Sequence, residues 1–308
     1  MTMTDSSAAT INVSFIGFGE AAMAITNGWR EDENLLSDDC QIQAYDCKTD
    51  SQLTRDAKLA DMAACDVIGC ESVDTALTNC HAVFSLVTAD QATDAAKAAA
   101  QVIKPETLYF DGNSCSPGTK QHNAQLIEGA GAHYFDLAIM SPVYPQRHQT
   151  PMLVSGNQIE LASALLNSLR MNATSNGTQV GQSSAIKMIR SVMVKGMEAL
   201  TAECVLAARK AGVDETVLDS LQHTFPDTAW RQRSAYNLER MMLHGERRAQ
   251  EMREVAATLQ ELGLYNGMAL ACSQWQSSIG SLKLTATDND YGPLADNVLS
   301  QLEQQASS

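Results

Sequence analysis

The chain has 308 residues, 44% of them hydrophobic and 19% charged, with a formal net charge of −15. That length predicts two domains, since single domains run to ~100–200 residues. The acidity argues against nucleic acid or an anionic membrane surface as partner, because both need clustered basic side chains. No stretch approaches the ~18 consecutive apolar residues of a membrane span. Met1 to Thr10 is polar and carries Asp5 but no Lys or Arg, whereas a secretory signal needs a basic start and a longer apolar run. The expected compartment is therefore the cytoplasm. Eight cysteines lie at 40, 47, 65, 70, 80, 115, 204 and 272, with no C-x-x-C spacing and no histidine pair at ligand spacing. They read as small buried hydrophobes plus a few exposed thiols, and no metal site is expected.

The first half alternates short apolar runs with helical patterns, the sign of βαβ units and a parallel sheet. Strands are predicted at Ile11–Ile16, Gln41–Tyr45, Val67–Cys70, Ala82–Val87, Thr107–Phe110, Ala132–Ala138 and Met152–Val154. Helical stretches between them include Ala21–Trp29, Gln91–Val102 and Pro117–Glu128. The second half is helical: a long pattern starts at Ser183-Ser184 and stops at Gly212, followed by Asp214–His223, Thr228–Leu243 and Gly245–Leu262. No strand is predicted after residue 180. The boundary falls near Val180-Gly181, giving an α/β domain over 1–180 and a helical domain over 181–308. The polar tail Gln301–Ser308 is expected to fray.

Residues 11–24 read INVSFIGFGEAAMA, a strand running into Gly17-Phe18-Gly19-Glu20-Ala21-Ala22, the G-x-G-x-x-A form. Gly17 permits the tight turn, Gly19 lets backbone approach a pyrophosphate, and Ala22 lets helix and strand pack closely. The free N–H groups of the helix start, around Glu20 and Ala21, suit an anion. The second strand ends in Asp46, where an acid meets the adenosine ribose hydroxyls. Its carboxylate favours NAD over the 2′-phosphate of NADP. Lys48, two residues on, can offset that repulsion, so NADP stays open.

With these residues in place, the chain resembles the β-hydroxyacid dehydrogenases, relatives of 3-hydroxyisobutyrate and 6-phosphogluconate dehydrogenases. More narrowly it resembles a branch whose C-terminal half is a domain of unknown function. The patterns that carry the likeness are IGFGEAA (16–22), IKMIRSVMVKGMEAL (186–200) and HGERRAQEM (244–252). The resemblance implies an α/β fold, with a Rossmann-type, mostly parallel sheet domain followed by an all-α 6-phosphogluconate dehydrogenase-like domain. It implies that the loop holding Val87 and Thr88 lies along the nicotinamide half of the cofactor. It matches Asp111-Gly112-Asn113-Ser114-Cys115-Ser116-Pro117 to the substrate loop, so Ser114 and Ser116 are candidate donors to substrate and Cys115 a candidate to point into the site. Both serines are equally well read as turn caps. Ser141-Pro142-Val143-Tyr144-Pro145-Gln146 departs from the family's A-P-V-S-G-G, and Pro145 has no N–H to donate. The glycine pair of the usual small-acid cradle is therefore replaced by Pro145-Gln146.

By the same resemblance Lys187 is the general acid/base, and Ser191 stands where the family has asparagine. Lys187, Ser191, Val194 and Glu198 share one helical stripe, with Arg190 beside them. A free lysine, with pKa ~10.4, is a poor base at neutral pH. Burial, or a neighbouring Arg190 or Lys195, would bring it toward the operating pH. The family's late-helix lysine for the substrate acid falls on Gln250-Glu251-Met252, which lacks it. Arg247, one turn earlier, is the candidate replacement. Most other arginines of this stretch read as salt-bridging along the helix with Glu239, Glu246, Glu251 and Glu254, and Tyr236 and His244 are lesser pocket candidates.

The expected activity is hydride transfer between a nicotinamide cofactor and a small hydroxy acid or its carbonyl partner. The alternatives are an imine reductase, which usually lacks such a lysine, and a non-catalytic NAD(H)-binding sensor or interaction protein, which would not need one. A homodimer is expected from the family and from the methionines and leucines of the second half.

Overall fold

The computed structural model describes residues 11–32, 35–37, 39–286 and 288–306. The polar start, Met1 to Thr10, and the last two residues of the tail lie outside them. The chain divides into two compact units, 1–187 and 188–308.

The first unit runs β1 (Val13–Ile16), α1 (Glu20–Glu31), β2 (Ile42–Tyr45), α2 (Gln52–Ala64), β3 (Ile68–Gly69), α3 (Val73–Leu77) and β4 (Ala82–Ser85). It continues with α4 (Ala92–Ala100), β5 (Leu108–Asp111), α5 (Pro117–Gly129), β6 (His133–Ile139), β7 (Met152–Ser155), α6 (Ile159–Ser168) and β8 (Ala173–Ser175). The strands form one sheet in the order β3-β2-β1-β4-β5-β6-β7-β8. Every pairing is parallel except β6 with β7. Strand order reverses between β1 and β4, so the loops leaving those two strands flank a crevice at the carboxyl edge of the sheet, where open α/β sheets bind ligands.

Register explains the core. Phe15, Phe84, Phe110 and Phe135 are direct partners on β1, β4, β5 and β6. Their rings follow one another at 5.7, 4.9 and 5.1 Å between centroids, with Trp29 of α1 5.8 Å from Phe15. Alternate side chains of a strand face opposite ways, so the next residues, Ser85, Asp111 and Asp136, are also partners, on the other face. Tyr109 and Tyr134 share that face, 5.8 Å apart. The central strands are buried on both faces because helices cover both, as a parallel sheet requires.

The edge strand β8 had no counterpart in the predicted elements. Its residues, Ala173, Thr174 and Ser175, are half-buried or exposed, and three polar or small residues carry no strand pattern. Among the described residues the last strand nonetheless ends before residue 180, as expected.

α7 (Gln182–Lys210) starts in the first unit, and the division of the chain falls within it, at Lys187. It stops at Gly212, whose φ of +71° suits the left-handed residue that closes a helix. The second unit adds α8 (Asp214–Thr224), α9 (Trp230–Glu261), α10 (Gly267–Gly280) and α11 (Tyr291–Ala306) around a core of Leu206, Leu238, Met241, Met252, Val255, Ile279 and Val298. Two expectations need correction. The predicted break at His244-Gly245 is absent, and α9 runs through it. A Cβ on Gly245 would lie 2.3 Å from the carbonyl oxygen of Gln276, and one on Gly280 would lie 2.5 Å from the Glu246 nitrogen. Gly245 thus lets α9 and α10 approach closely and does not end a helix. The tail does not fray from 301: α11 continues to Ala306, with Val298 buried and Leu302 packed on the core. Among the described residues no helix is long and apolar enough to cross a membrane.

Candidate active site

The glycine turn connects β1 to α1. Gly17 has φ +85°, and a Cβ there would lie 2.7 Å from the carbonyl oxygen of Leu86 in the loop after β4. A non-glycine residue is excluded both by conformation and by space. At Gly19 a Cβ would meet nothing within 4 Å, so the turn is open above that residue. Gly19 begins α1 without a side-chain cap, which leaves the first N–H groups, including those of Glu20 and Ala21, directed out of the helix. Phe18 differs from its neighbours: its ring is fully buried, and its N–H donates to Asp46 Oδ2 at 2.8 Å. It braces the turn from beneath.

Asp46 directly follows β2 and is half-buried. Oδ2 takes the Phe18 N–H, and Oδ1 takes the N–H of Lys48 at 3.0 Å. A carboxylate offers about four lone-pair positions, so acceptor capacity is left for hydroxyl groups at the rim of the turn. An open glycine turn, an uncapped helix start and this held carboxylate together fit a dinucleotide.

The loops after β4 and β5 are tied together by Asn113. Its Oδ1 accepts from the Val87 N–H at 2.7 Å, its Nδ2 donates to Ser85 Oγ at 3.0 Å, and its own N–H donates to Asp111 Oδ1 at 3.0 Å. Thr88 is exposed beside this knot. Asn113 was missed in the sequence, although it stands inside the quoted loop motif.

Ser114 is half-buried, and its Oγ accepts a hydrogen bond from Lys187 Nζ at 2.7 Å. The two predicted residues, 73 positions apart, are therefore in direct contact within the first unit. Cys115 is fully buried, with Sγ 3.6 Å from the Ala89 carbonyl. Ser116 caps α5, accepting from the Thr119 N–H at 3.2 Å. Tyr144-Pro145 is a cis peptide in the loop that departs from the family pattern.

Beneath the loops lies an ionic cluster that the sequence did not reveal. Lys120, Asp111 and Asp136 are all fully buried. Lys120 Nζ is 2.9 Å from Asp111 Oδ1 and 3.5 Å from Asp136 Oδ1. Tyr134 donates to Asp111 Oδ2 at 2.7 Å. Asp136 Oδ2 accepts the N–H groups of Gly181 at 3.2 Å and Ser184 at 2.8 Å, the start of α7. Burial pulls the Lys120 ammonium down, but the two carboxylates outweigh it and hold its pKa above the ordinary lysine value. The only sequence signal was a lone acid, Asp136, inside the apolar run 132–138.

The second unit holds the remaining candidates. Ser191 is buried and accepts from Lys195 Nζ at 3.1 Å; Lys195 also pairs with Glu251 at 2.9 Å. Glu198, 2% exposed, pairs with Arg248 and accepts from Gln276 Nε2 at 2.8 Å. Arg231 reaches Glu215 and Asp219 of α8. These arginine pairs join different helices, in contrast to the pairing along one helix expected from spacing. Arg190, Arg247 and Tyr236 are exposed, and His244 lies within α9.

The sheet order, glycine turn and acid at the end of β2 define a dinucleotide-binding protein of the Rossmann class, with a helical second unit. The chain belongs to the family described as the NAD binding domain of 6-phosphogluconate dehydrogenase, which it matches over residues 12–177. Residues 208–279 match a domain of unknown function, DUF1932. A conserved hypothetical protein from Sinorhizobium meliloti 1021 is 33% identical, with 96% of this chain and 97% of that one covered and a TM-score of 0.73. A conserved protein of unknown function, described as structurally similar to 3-hydroxyacid dehydrogenases, is 28% identical over 87% of this chain and 98% of its own, at TM-score 0.65. Mycobacterium tuberculosis 3-hydroxyisobutyrate dehydrogenase shares the fold at TM-score 0.68 and 13% identity, over 94% of this chain and 99% of its own.

Proposed function

We propose that this chain is an oxidoreductase that moves a hydride between a nicotinamide cofactor, NAD in preference to NADP, and a small hydroxy acid or its carbonyl partner. The observation that carries the reading is the 2.7 Å hydrogen bond from Lys187 to Ser114, in the same unit as the glycine turn. A proton donor held on a hydroxyl beside a dinucleotide fingerprint is what alcohol–carbonyl interconversion requires.

In this reading the N–H groups of Gly19, Glu20 and Ala21 hold the pyrophosphate, as free donors at the positive end of a helix suit an anion. Asp46 accepts from the ribose hydroxyls, and its charge disfavours a 2′-phosphate. Val87 and Thr88 line the nicotinamide half, their loop fixed by Asn113. The bound nicotinamide supplies the hydride acceptor or donor. Lys187 handles the proton: its Nζ takes it from the substrate hydroxyl in oxidation and returns it to the carbonyl oxygen in reduction. Ser114 fixes the direction of that amine and can share a hydrogen bond with the same substrate oxygen. Cys115 and Ser116 support the loop from below, one as packing and the other as a helix cap. Ser191, one turn after Lys187 on α7, is the second catalytic candidate, and Arg190 and Arg247 are the candidates for the substrate's acid end.

We further propose a homodimer in the cytoplasm. Ile189, Met193 and Leu200 form an exposed apolar stripe on α7, at helical spacing. Sedimentation that found only monomer at micromolar concentration would reject the dimer.

The test is titration with NADH and NADPH, followed by a screen of hydroxy acids, aldehydes and imines with the Lys187→Ala variant as control. Tighter NADH binding and lysine-dependent turnover of a hydroxy acid are expected. Turnover of imines alone would favour an imine reductase. Cofactor binding without any turnover would favour a sensor.

A further inference from the structure

We propose that Lys120 is a positioning residue: its ammonium, clamped between Asp111 and Asp136, sets the geometry of the Lys187–Ser114 pair. The catalytic part of this inference rests on the function proposed above; the positioning part does not.

Asp111 and Asp136 are direct partners on adjacent parallel strands and face the same side of the sheet. Two carboxylates side by side repel each other, and both are fully buried. α5 places Lys120 over them, 2.9 Å from one and 3.5 Å from the other. Its Nζ also donates to the Asp111 carbonyl at 2.5 Å, pinning the end of β5. Asp136 Oδ1 has no hydrogen bond among the described residues, so the Lys120 ammonium is the charge that compensates it.

Each carboxylate then holds one half of the pair above. Asp111 Oδ1 accepts the Asn113 N–H, fixing the backbone next to Ser114. Asp136 Oδ2 accepts the Gly181 and Ser184 N–H groups, fixing the first turn of α7 one turn before Lys187. Tyr134 and Asn123 take up Asp111 Oδ2, at 2.7 and 3.3 Å. One buried cation thus links the loop that carries Ser114 to the helix that carries Lys187. Without it the two adjacent carboxylates lose the charge that holds them together, and their backbone partners shift with them. A misplacement of ~1 Å at a reacting group can cost ~10²-fold in rate.

The experiment replaces Lys120 with methionine, of similar length and without charge, and reads steady-state kinetics, NADH affinity and amide exchange over 181–187 and 113–114. The expected result is kcat lower by roughly 10²-fold with KM changed by less than about threefold. NADH affinity should hold within about threefold, and amide exchange at the start of α7 should be faster by about tenfold or more. A folded variant with unchanged kcat and unchanged exchange overturns the proposal; so does a raised KM with kcat intact. If Lys120→Met does not fold, Asp136→Asn keeps an acceptor for the α7 N–H groups but removes the charge, and the same readouts decide. If the wild type turns over no substrate at all, the proposed function fails, while the exchange readout still decides whether Lys120 positions α7.

Discussion

Asp46 Oδ2 accepts the Phe18 N–H over 2.8 Å, so the acid that follows β2 also closes the glycine turn after β1. One side chain therefore shapes the cofactor site and, in the function proposed here, contacts the ribose.

Two substitutions separate these contributions. Asp46→Asn keeps an acceptor for Phe18 but loses the charge, and should weaken NADH binding by about tenfold while narrowing the preference over NADPH, since hydrogen bonds to charged groups contribute ~1.5–3 kcal/mol. Asp46→Ala also leaves the Phe18 and Lys48 N–H groups without their partner and should lower stability by ~1–3 kcal/mol. Fluorescence titration and thermal denaturation measure the two effects. Unchanged NADH affinity in Asp46→Asn would remove Asp46 from the cofactor site.

Lys187→Ala should cost ~10²–10⁴-fold in kcat, the range of general acid–base catalysis, with NADH affinity preserved. Ser114→Ala should cost less, because it removes the group that orients the amine and leaves the amine itself. Equal losses in both variants would argue that the hydroxyl takes part in proton transfer directly. Stopped-flow measurement of the hydride step, with binding measured separately, distinguishes these cases.

Gly245→Ala should destabilise the second unit by ~1–3 kcal/mol, because its Cβ would lie 2.3 Å from the Gln276 carbonyl oxygen and 2.7 Å from the Gly280 Cα, both of them backbone. In an exposed helix the same change would stabilise, since alanine exceeds glycine in helix propensity by ~1 kcal/mol. The sign of the shift in the urea midpoint is thus diagnostic. A gain in stability would mean that α9 and α10 are not in close contact there.

The glycine turn and Asp46 were legible because their signals are local: a strand, two glycines and an acid at set spacings. Lys187 and Ser114 were legible through resemblance, and their contact required the fold. The Lys120 cluster was not legible. Its members are separated by 9 and 16 positions, and each reads alone as an ordinary polar residue. Only the β5–β6 register makes Asp111 and Asp136 neighbours, and only α5 covers them. Gly245 misled for a related reason: propensity counts glycine as a break, whereas packing against Gly280 makes it a contact. β8 escaped notice because an edge strand needs only backbone pairing with β7 and can be short and polar.

His148 gives a pH prediction. It follows the cis-Pro145 loop and packs on Gly28 of α1, where a Cβ would come within 2.2 Å of its Nδ1. The ring is buried, and neither nitrogen has a hydrogen bond among the described residues. Burial lowers its pKa below the ordinary histidine value. Asp32, 3.5 Å away, opposes this, while Arg147 and Arg170 reinforce it. The unfolded chain therefore takes up a proton at a pH where the folded chain does not. Folding stability should be full above the unfolded value of ~6.5 and should fall as the pH drops below it, until the folded histidine also titrates. His148→Met removes this titration. Urea unfolding at a series of pH values from about 7.5 to 5 should show the wild type losing more stability than the variant over that window. Parallel losses in the two proteins would mean that His148 is already free to take up a proton in the folded state.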